Sequence, residues 1–395
     1  RLGDQKTVVH GNYAMYWGQV GVGGYSNQVN PVTRVSIRYP WVDLNHDGFV
    51  QPNEIMIPNN NIANYLALTG NWNPAAPGSP TTANTIDPNL KNDKTQEIIV
   101  GVDHEIGAGF AVGANYIWRK YSNFQFTDTI GIEPIDFAST TFTPAAGTCP
   151  GADGLRIGAA TCPTVTYFVP TFQVPAISNL TNFTSDQYNR VYNGVEISAR
   201  KRMSHHWLMN TSFAYNSTVV NMSGWAGDSA NGLQFTGFGE DPTNRSARDG
   251  HQYDFLTSGS GLGNVYINAK WLYKLSGLYN LPFDINVSAF YNARQGYPEE
   301  IAVQGPSRPN GGGIPTILLN PVGDSRLPTY GNIDFHLDRP VKIGTVRFMP
   351  TLDVFNLTNN NVIQAVRVTE NATNANQIQA ITAPRVVRFG IRVNW

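Results

Sequence analysis

The chain is short of charge. Only 14% of its 395 residues are Asp, Glu, Lys or Arg, against roughly 25% in soluble domains. It also lacks any stretch near the ~18 apolar residues of a membrane-crossing helix, which excludes a helical span but not a β-barrel. The net charge of -1 leaves no basic footprint, so no nucleic-acid partner is expected. No nucleophile–base pairing, phosphate-cradling glycine loop or zinc-protease signature occurs, so an enzyme is not expected. There are only two cysteines. Cys149 and Cys162 stand in a Gly/Pro/Thr-rich segment, suited to a loop-closing disulfide in an oxidising compartment, and no ligand-spaced His or further Cys accompanies them.

Neutral polar residues and aromatics take the place of charge. Aromatics reach 11% and there are 38 glycines, with Asn, Thr and Ser abundant. Such a balance suits a barrel with a wet lumen and aromatic rims. The last eleven residues, RVVRFGIRVNW, put Val387, Phe389, Ile391, Val393 and Trp395 on one side of an extended strand. Arg388, Gly390, Arg392 and Asn394 fall on the other. A half-apolar strand needs partners on its edges and an apolar surrounding on one face. Lipid and barrel closure supply both in an outer membrane. The last strand of a soluble adhesin or binding sandwich is the alternative.

The same period-two pattern recurs. Strands are expected near 6–17, 95–106, 109–120, 188–201, 206–217, 265–279, 283–296, 331–343, 346–357 and 385–395. Tight turns are expected at Gly107–Ala108–Gly109, Met203–His205, Asn280–Leu281–Pro282 and Gly344–Thr345. Long, structureless segments are expected at 18–94, 121–187, 218–264, 297–330 and 358–384. Compact soluble domains rarely carry several such loops, whereas outer-membrane barrels combine short periplasmic turns with long outer loops. Loops 18–94 and 121–187 are thus expected outside the cell, and the whole of 1–395 in the barrel portion. If 107–109 is periplasmic, the last strand runs inward and Trp395 ends in the periplasm. The chain begins at Arg1 with no signal peptide and opens almost directly into a strand, as expected of a processed piece or fragment.

The order of motifs resembles the C-terminal half of TonB-dependent outer-membrane receptors, especially the Oar-like group with a carboxypeptidase-regulatory-like N-terminal domain. The carriers are RLG at Arg1–Gly3, DQKTVVHGNYAMYW at Asp4–Trp17 and IDPNLKNDKTQEIIVGVDHEIGAGFAVGANYIWRK at Ile86–Lys120. YNGVEISARKR at Tyr192–Arg202, LSGLYNLPF at Leu275–Phe283, LDVFNLTNNNV at Leu352–Val362 and the terminal RFGIRVNW follow. The resemblance implies an all-β, transmembrane antiparallel barrel. About ten strands would lie here, as part of a 22-stranded whole in the bacterial outer membrane. It also implies partners: membrane lipid, an N-terminal plug and further barrel strands, and the inner-membrane TonB complex acting through that N-terminal part. The function implied is uptake or reception of a scarce, large solute such as a siderophore, cobalamin, glycan or peptide. A passive porin or structural surface barrel is the alternative, with the same rhythm but no plug.

One loop carries a metal candidate. Residues 43–54 read DLNHDGFVQPNE, with Asp43, Asn45, Asp47, Gly48 and Glu54 at EF-hand positions 1, 3, 5, 6 and 12. The Phe49 carbonyl would be a ligand and Gln51 would act through water. Such hard oxygens suit Ca2+ in a structural role, and a plain Asx turn is the competing reading. Glu196, Arg200, Asp284, Asp334, His336 and Asp353 are expected on the lumen face, as wall-to-plug contacts. His205 and His206 are expected to be turn residues. Trp17, Tyr116, Trp118, Trp271, Tyr273 and Tyr291 are expected at the membrane face, while Trp41, Tyr65, Trp72 and Trp225 are loop aromatics.

Overall fold

The computed structural model describes residues 6–18, 22–29, 36–61, 63–69, 82–107, 109–145, 148, 162–184, 188–222, 241, 243, 269–299, 301–319, 323–367 and 369–395. Ten long strands form its wall. They are β1 (Thr7–Trp17), β2 (Lys94–Gly107), β3 (Phe110–Ser122), β4 (Tyr188–Ser204) and β5 (Trp207–Met222). Then come β6 (Trp271–Leu281), β7 (Ile285–Arg294), β8 (Tyr330–Asp338), β9 (Val346–Phe355) and β10 (Val386–Asn394). Each pairs antiparallel with the next in chain order. Val341–Ile343 continues β8 along β9 after a break at Arg339–Pro340. Proline has no N–H to give the ladder, which explains the break.

The tight connections differ slightly from expectation. Gly107 and Gly109 take φ of 133° and 75° between β2 and β3, and Gly344 takes 63° before β9. The turn between β4 and β5 is His205–His206, both at positive φ (51° and 67°). Such two-residue hairpins normally use Asn or Gly. Here Lys201 holds the turn by donating from Nζ to the Ser204 carbonyl at 2.8 Å and the Trp207 carbonyl at 3.0 Å. Between β6 and β7 the reversal is a 3-10 turn at Pro282–Asp284, two residues later than the spacing predicts. The β6 strand runs over Trp271–Leu281, and residues 265–268 of the expected strand lie outside the described residues.

Four of the five long connections, 18–94, 121–187, 297–330 and 358–384, contain short strands, contrary to the sequence expectation, while most of 218–264 lies outside the described residues. Thr85–Ile86, Ser178–Asn182 and Gln125–Thr129 form a three-stranded sheet. Phe137–Phe142 pairs with Val165–Pro170, and Ala302–Gln304 with Thr316–Leu318. Most of the buried hydrophobic side chains lie here rather than in the wall. Val165, Tyr167, Val303 and Ile317 make one cluster. Phe126 stacks on Phe183 with ring centroids 3.8 Å apart, and Phe124 meets Tyr188 edge-on at 5.0 Å. The wall has little core of its own because a single sheet has a face on each side and nothing but lipid or lumen to put there.

Candidate functional site: the lumen wall and the outer loops

Pairing register assigns every wall residue to one of two faces, since period two keeps i and i+2 together. One face carries Val9, Tyr13, Trp17, Val100, Val102, Ile197, Phe389 and Ile391. All are at least 40% exposed, and Phe389 reaches 80%. Tyr116 lies on this face too, and the registers place Trp118, Trp271, Tyr273 and Tyr291 with it. An apolar surface of this extent marks an interface with something apolar. The expected membrane face is therefore where the sequence puts it.

The opposite face is a hydrogen-bonded polar wall. Its densest part runs across β6 to β10. Asn280 Nδ2 donates to Asn286 Oδ1, and Asn286 Nδ2 to Asp338 Oδ1 at 2.7 Å. His336 faces Asp338 Oδ2 with Nε2 (3.1 Å) and Asp353 Oδ1 with Nδ1 (2.6 Å). Arg388 of β10 completes the line, donating from Nε to Asp353 Oδ2 at 2.9 Å. Asp334 lies alongside and accepts from the Asn356 backbone N–H at 2.9 Å. A second group sits on β1 to β4. His10 Nε2 lies 3.0 Å from Asn115 Oδ1, and Arg119 donates to Glu97 while lying over the Tyr192 ring. Gly101 makes the first contact possible, because a Cβ there would come 2.0 Å from Asn115 Oδ1.

His336, Asp353 and Asp334 are thus brought together as expected. Glu196 and Arg200 are exposed on the same face but remote from that line. Asp284 is a correction: it sits in the 3-10 turn at φ 59°, not on a strand. Arg388 joins the line from the polar side of its strand, as expected, whereas Asp338, His10 and Glu97 were missed as members of the lumen groups. Strand parity alone would have found them once the register was known.

The 43–54 loop is closed at its mouth by a bridge between Trp41 and Ile55 and by Val42 N–H donating to the Glu54 carbonyl at 3.0 Å. The Asp43 carboxylate accepts the N–H groups of Asp47 (3.2 Å) and Gly48 (3.0 Å). Gly48 has φ 77° and His46 φ 60°, which make the reversal. Glu54 is 1% exposed and receives the N–H groups of Leu44 (2.9 Å) and Gln51 (3.0 Å). The Phe49 N–H donates to Asp47 Oδ1 at 2.7 Å and, with the Gln51 and Asn45 amides, holds the Asp47 carboxyl below its ordinary pKa. Among the described residues no three acidic, His or Cys side chains are gathered as a ready metal cage. The donor set would have to draw on Asn45, the Phe49 carbonyl and Gln51. Gln51 Oε1 is a buried acceptor without a hydrogen-bond partner in this loop.

A buried ion pair ties the long connections. Arg308 donates from Nη1 to Asp241 Oδ2 and to the Phe168 carbonyl (2.8 Å), and from Nη2 to the Gly312 carbonyl. Both side chains are fully buried. Burial pushes the Asp241 carboxyl up from its ordinary value, with Arg308 opposing. Cys162 is buried and disulfide-bonded; Cys149 lies outside the described residues, as do Trp72 and Trp225.

A family model described as an outer membrane β-barrel domain matches residues 1–286. No curated protein matches the chain. Among solved structures, the outer membrane transporter YddB from Escherichia coli is similar at 12% identity and a TM-score of 0.41, over 78% of this chain and 34% of that one. The ferric enterobactin receptor PfeA from Pseudomonas aeruginosa aligns at 12% identity and 0.40, over 78% and 32%. BauA, the ferric preacinetobactin receptor from Acinetobacter baumannii, aligns at 12% and 0.38, over 76% and 29%. The chain therefore spans about a third of the length of these proteins.

Proposed function

This chain belongs to the outer-membrane β-barrel domain family, and from that premise we propose that it forms part of the wall and the outer loops of a TonB-dependent receptor. Its place is the bacterial outer membrane. The observation that carries the proposal is the open sheet. Among the described residues β1 pairs only with β2, and β10 only with β9. Two long free edges inside hydrocarbon would each leave a row of backbone donors and acceptors unsatisfied, which a bilayer does not permit. We read both edges as meeting further strands, in a barrel larger than ten strands, which would satisfy those groups. The motif order, above all LDVFNLTNNNV at Leu352–Val362, supports the TonB-dependent class and its Oar-like group.

In this reading the ordered outer loops receive a scarce, large solute of the siderophore, cobalamin, glycan or peptide kind. The polar line from Asn280 to Arg388 faces a plug supplied by the N-terminal part of the protein, and TonB acts through that part. The full-length protein in a planar bilayer tests this. A silent barrel that conducts only after mild urea treatment is expected, because a plug fills the lumen. A large, stable open current from the untreated protein would instead establish a passive pore.

We also propose that the 43–54 loop holds Ca2+. Asp43, Asn45, Asp47, the Phe49 carbonyl and Glu54 would supply oxygens, with Gln51 acting through water. The fit rests on the orphaned Gln51 Oε1 and on an all-oxygen donor set at EF-hand spacing. The cation would neutralise three carboxylates and fix the loop. We further propose that the disulfide at Cys162 is made with Cys149 and closes the intervening segment.

A further inference from the structure

Among the described residues the membrane face of the wall carries an open apolar recess, centred where β6 lies against β7. Gly277 is paired with Ala289 on one side and Met209 on the other. The residues of the rows above and below are large. Trp207, Tyr279 and Val287 stand in one row and Leu275 and Tyr291 in the other. The result is a cavity of about 430 Å³ lined by these side chains. It opens on the face that carries the exposed Tyr279, Phe213 and Tyr215. Along the strand, Tyr279 to Leu275 spans roughly 13 Å at the usual rise, comparable to one leaflet's share of a ~30 Å hydrocarbon core.

We infer that this recess is a specific site for the acyl chain of a glycerophospholipid in the periplasmic leaflet. Three observations fix the occupant. The recess is continuous with the face that lipid covers. It is bracketed by the two tight reversals, His205–His206 and Pro282–Asp284, and tight turns lie on the periplasmic side of such barrels. Its inner rim is Trp207 and Tyr279, the aromatic types that sit at the headgroup level. Next to them, at the same end of the hairpin, stand Lys201, whose Nζ lies 4.1 Å from the Trp207 ring centroid, and the turn residues His205 and His206, polar groups suited to the headgroup level. Lipopolysaccharide occupies the other leaflet and would approach the wall from the far end.

The inference goes beyond transport and does not depend on a plug or on TonB. The test uses the full-length protein, extracted in mild detergent and weighed by native mass spectrometry. The wild type is expected to retain one phospholipid, with its mass confirmed by fragmentation. Gly277→Leu fills the recess. A Cβ at 277 would meet only the Leu208 carbonyl, at 3.6 Å, so the strand accepts it. Excluding as few as two methylenes lowers retention by about ten-fold at the usual hydrophobic increment. Gly11→Leu adds the same bulk to the same face away from the recess, and its retention should equal that of the wild type. Gly277→Ala provides a milder variant, with partial loss. A lipid-free wild type, equal retention by wild type and Gly277→Leu, a retained lipid A, or a dimer sealed through this face would each overturn the inference.

Discussion

Asp241→Asn should loosen the long connections and leave the wall intact. Arg308 is fully buried, with its guanidinium spread over Asp241, the Phe168 carbonyl and the Gly312 carbonyl. Removing Asp241, its negative partner among the described residues, strips the buried guanidinium of a charge-assisted bond. Breaking such a pair costs about 3–5 kcal/mol. The lower end applies here, because Asn keeps one acceptor oxygen in the same place. Since 1.4 kcal/mol is a factor of ten, ~3 kcal/mol becomes roughly a hundred-fold faster amide exchange wherever the opening is local. The affected amides are those around Arg308: Phe168, whose N–H donates to Thr243 Oγ1 at 3.1 Å, Arg308 itself, which donates to the Gly313 carbonyl at 2.8 Å, and Gly312. Amides of β4 and β5 in the strand ladders should exchange as before. Hydrogen exchange on the purified full-length protein gives both readings at once. Unchanged exchange at Phe168 and Gly312 would refute the energetic argument, and equal acceleration in β4 would refute the separation of loops from wall. Replacing both Asp241 and Arg308 by apolar residues of similar size should restore most of the loss.

Phe183→Ala removes a ring that is 1% exposed and stacked on Phe126. It should cost about 3–5 kcal/mol of outer-loop stability, read as protease cutting near 124–130 on intact cells. Glu54→Gln should weaken Ca2+ binding by the 43–54 loop in calorimetry, from an affinity expected at roughly 10⁻⁴–10⁻³ M. Barrel migration on a cold gel should not change, because no wall strand bonds to that loop among the described residues. The Asp47 carboxyl has a lowered pKa, so its contribution is present above the ordinary Asp value. It is lost as pH falls below ~3.9 and through the folded value. Exchange of the Phe49 amide should therefore show an acid step that Asp47→Asn abolishes.

The wall was largely legible in the sequence, and the loops were not. Ten strands appear near the ten expected positions because alternation over ten residues repeats one physical demand, lipid on one side and water on the other. β4 shows it in Val195, Ile197 and Ala199 against Glu196, Ser198 and Arg200. The errors fall where that demand ends. Phe283 continues the apolar phase of β7 yet sits at φ 67° in the turn, because Pro282 before it cannot extend the ladder. The loop strands escaped because they are two to six residues long and find distant partners, as Leu180 finds Ile86. Arg308 and Asp241 are separated by 67 positions, and nothing local announces that they meet. In the 43–54 loop the spacing itself was the signal, and the backbone reversal at Gly48 follows it.

The central claim is that this ten-stranded sheet is one arc of a larger closed barrel. A high-resolution structure of the full-length protein in a lipid environment tests it most directly. Thr7–Trp17 and Val386–Asn394 are each expected to gain a new antiparallel neighbour from outside these ten strands, with the polar line through His336 and Asp353 facing a filled lumen. Direct pairing of Thr7–Trp17 with Val386–Asn394, closing ten strands on themselves, would contradict it.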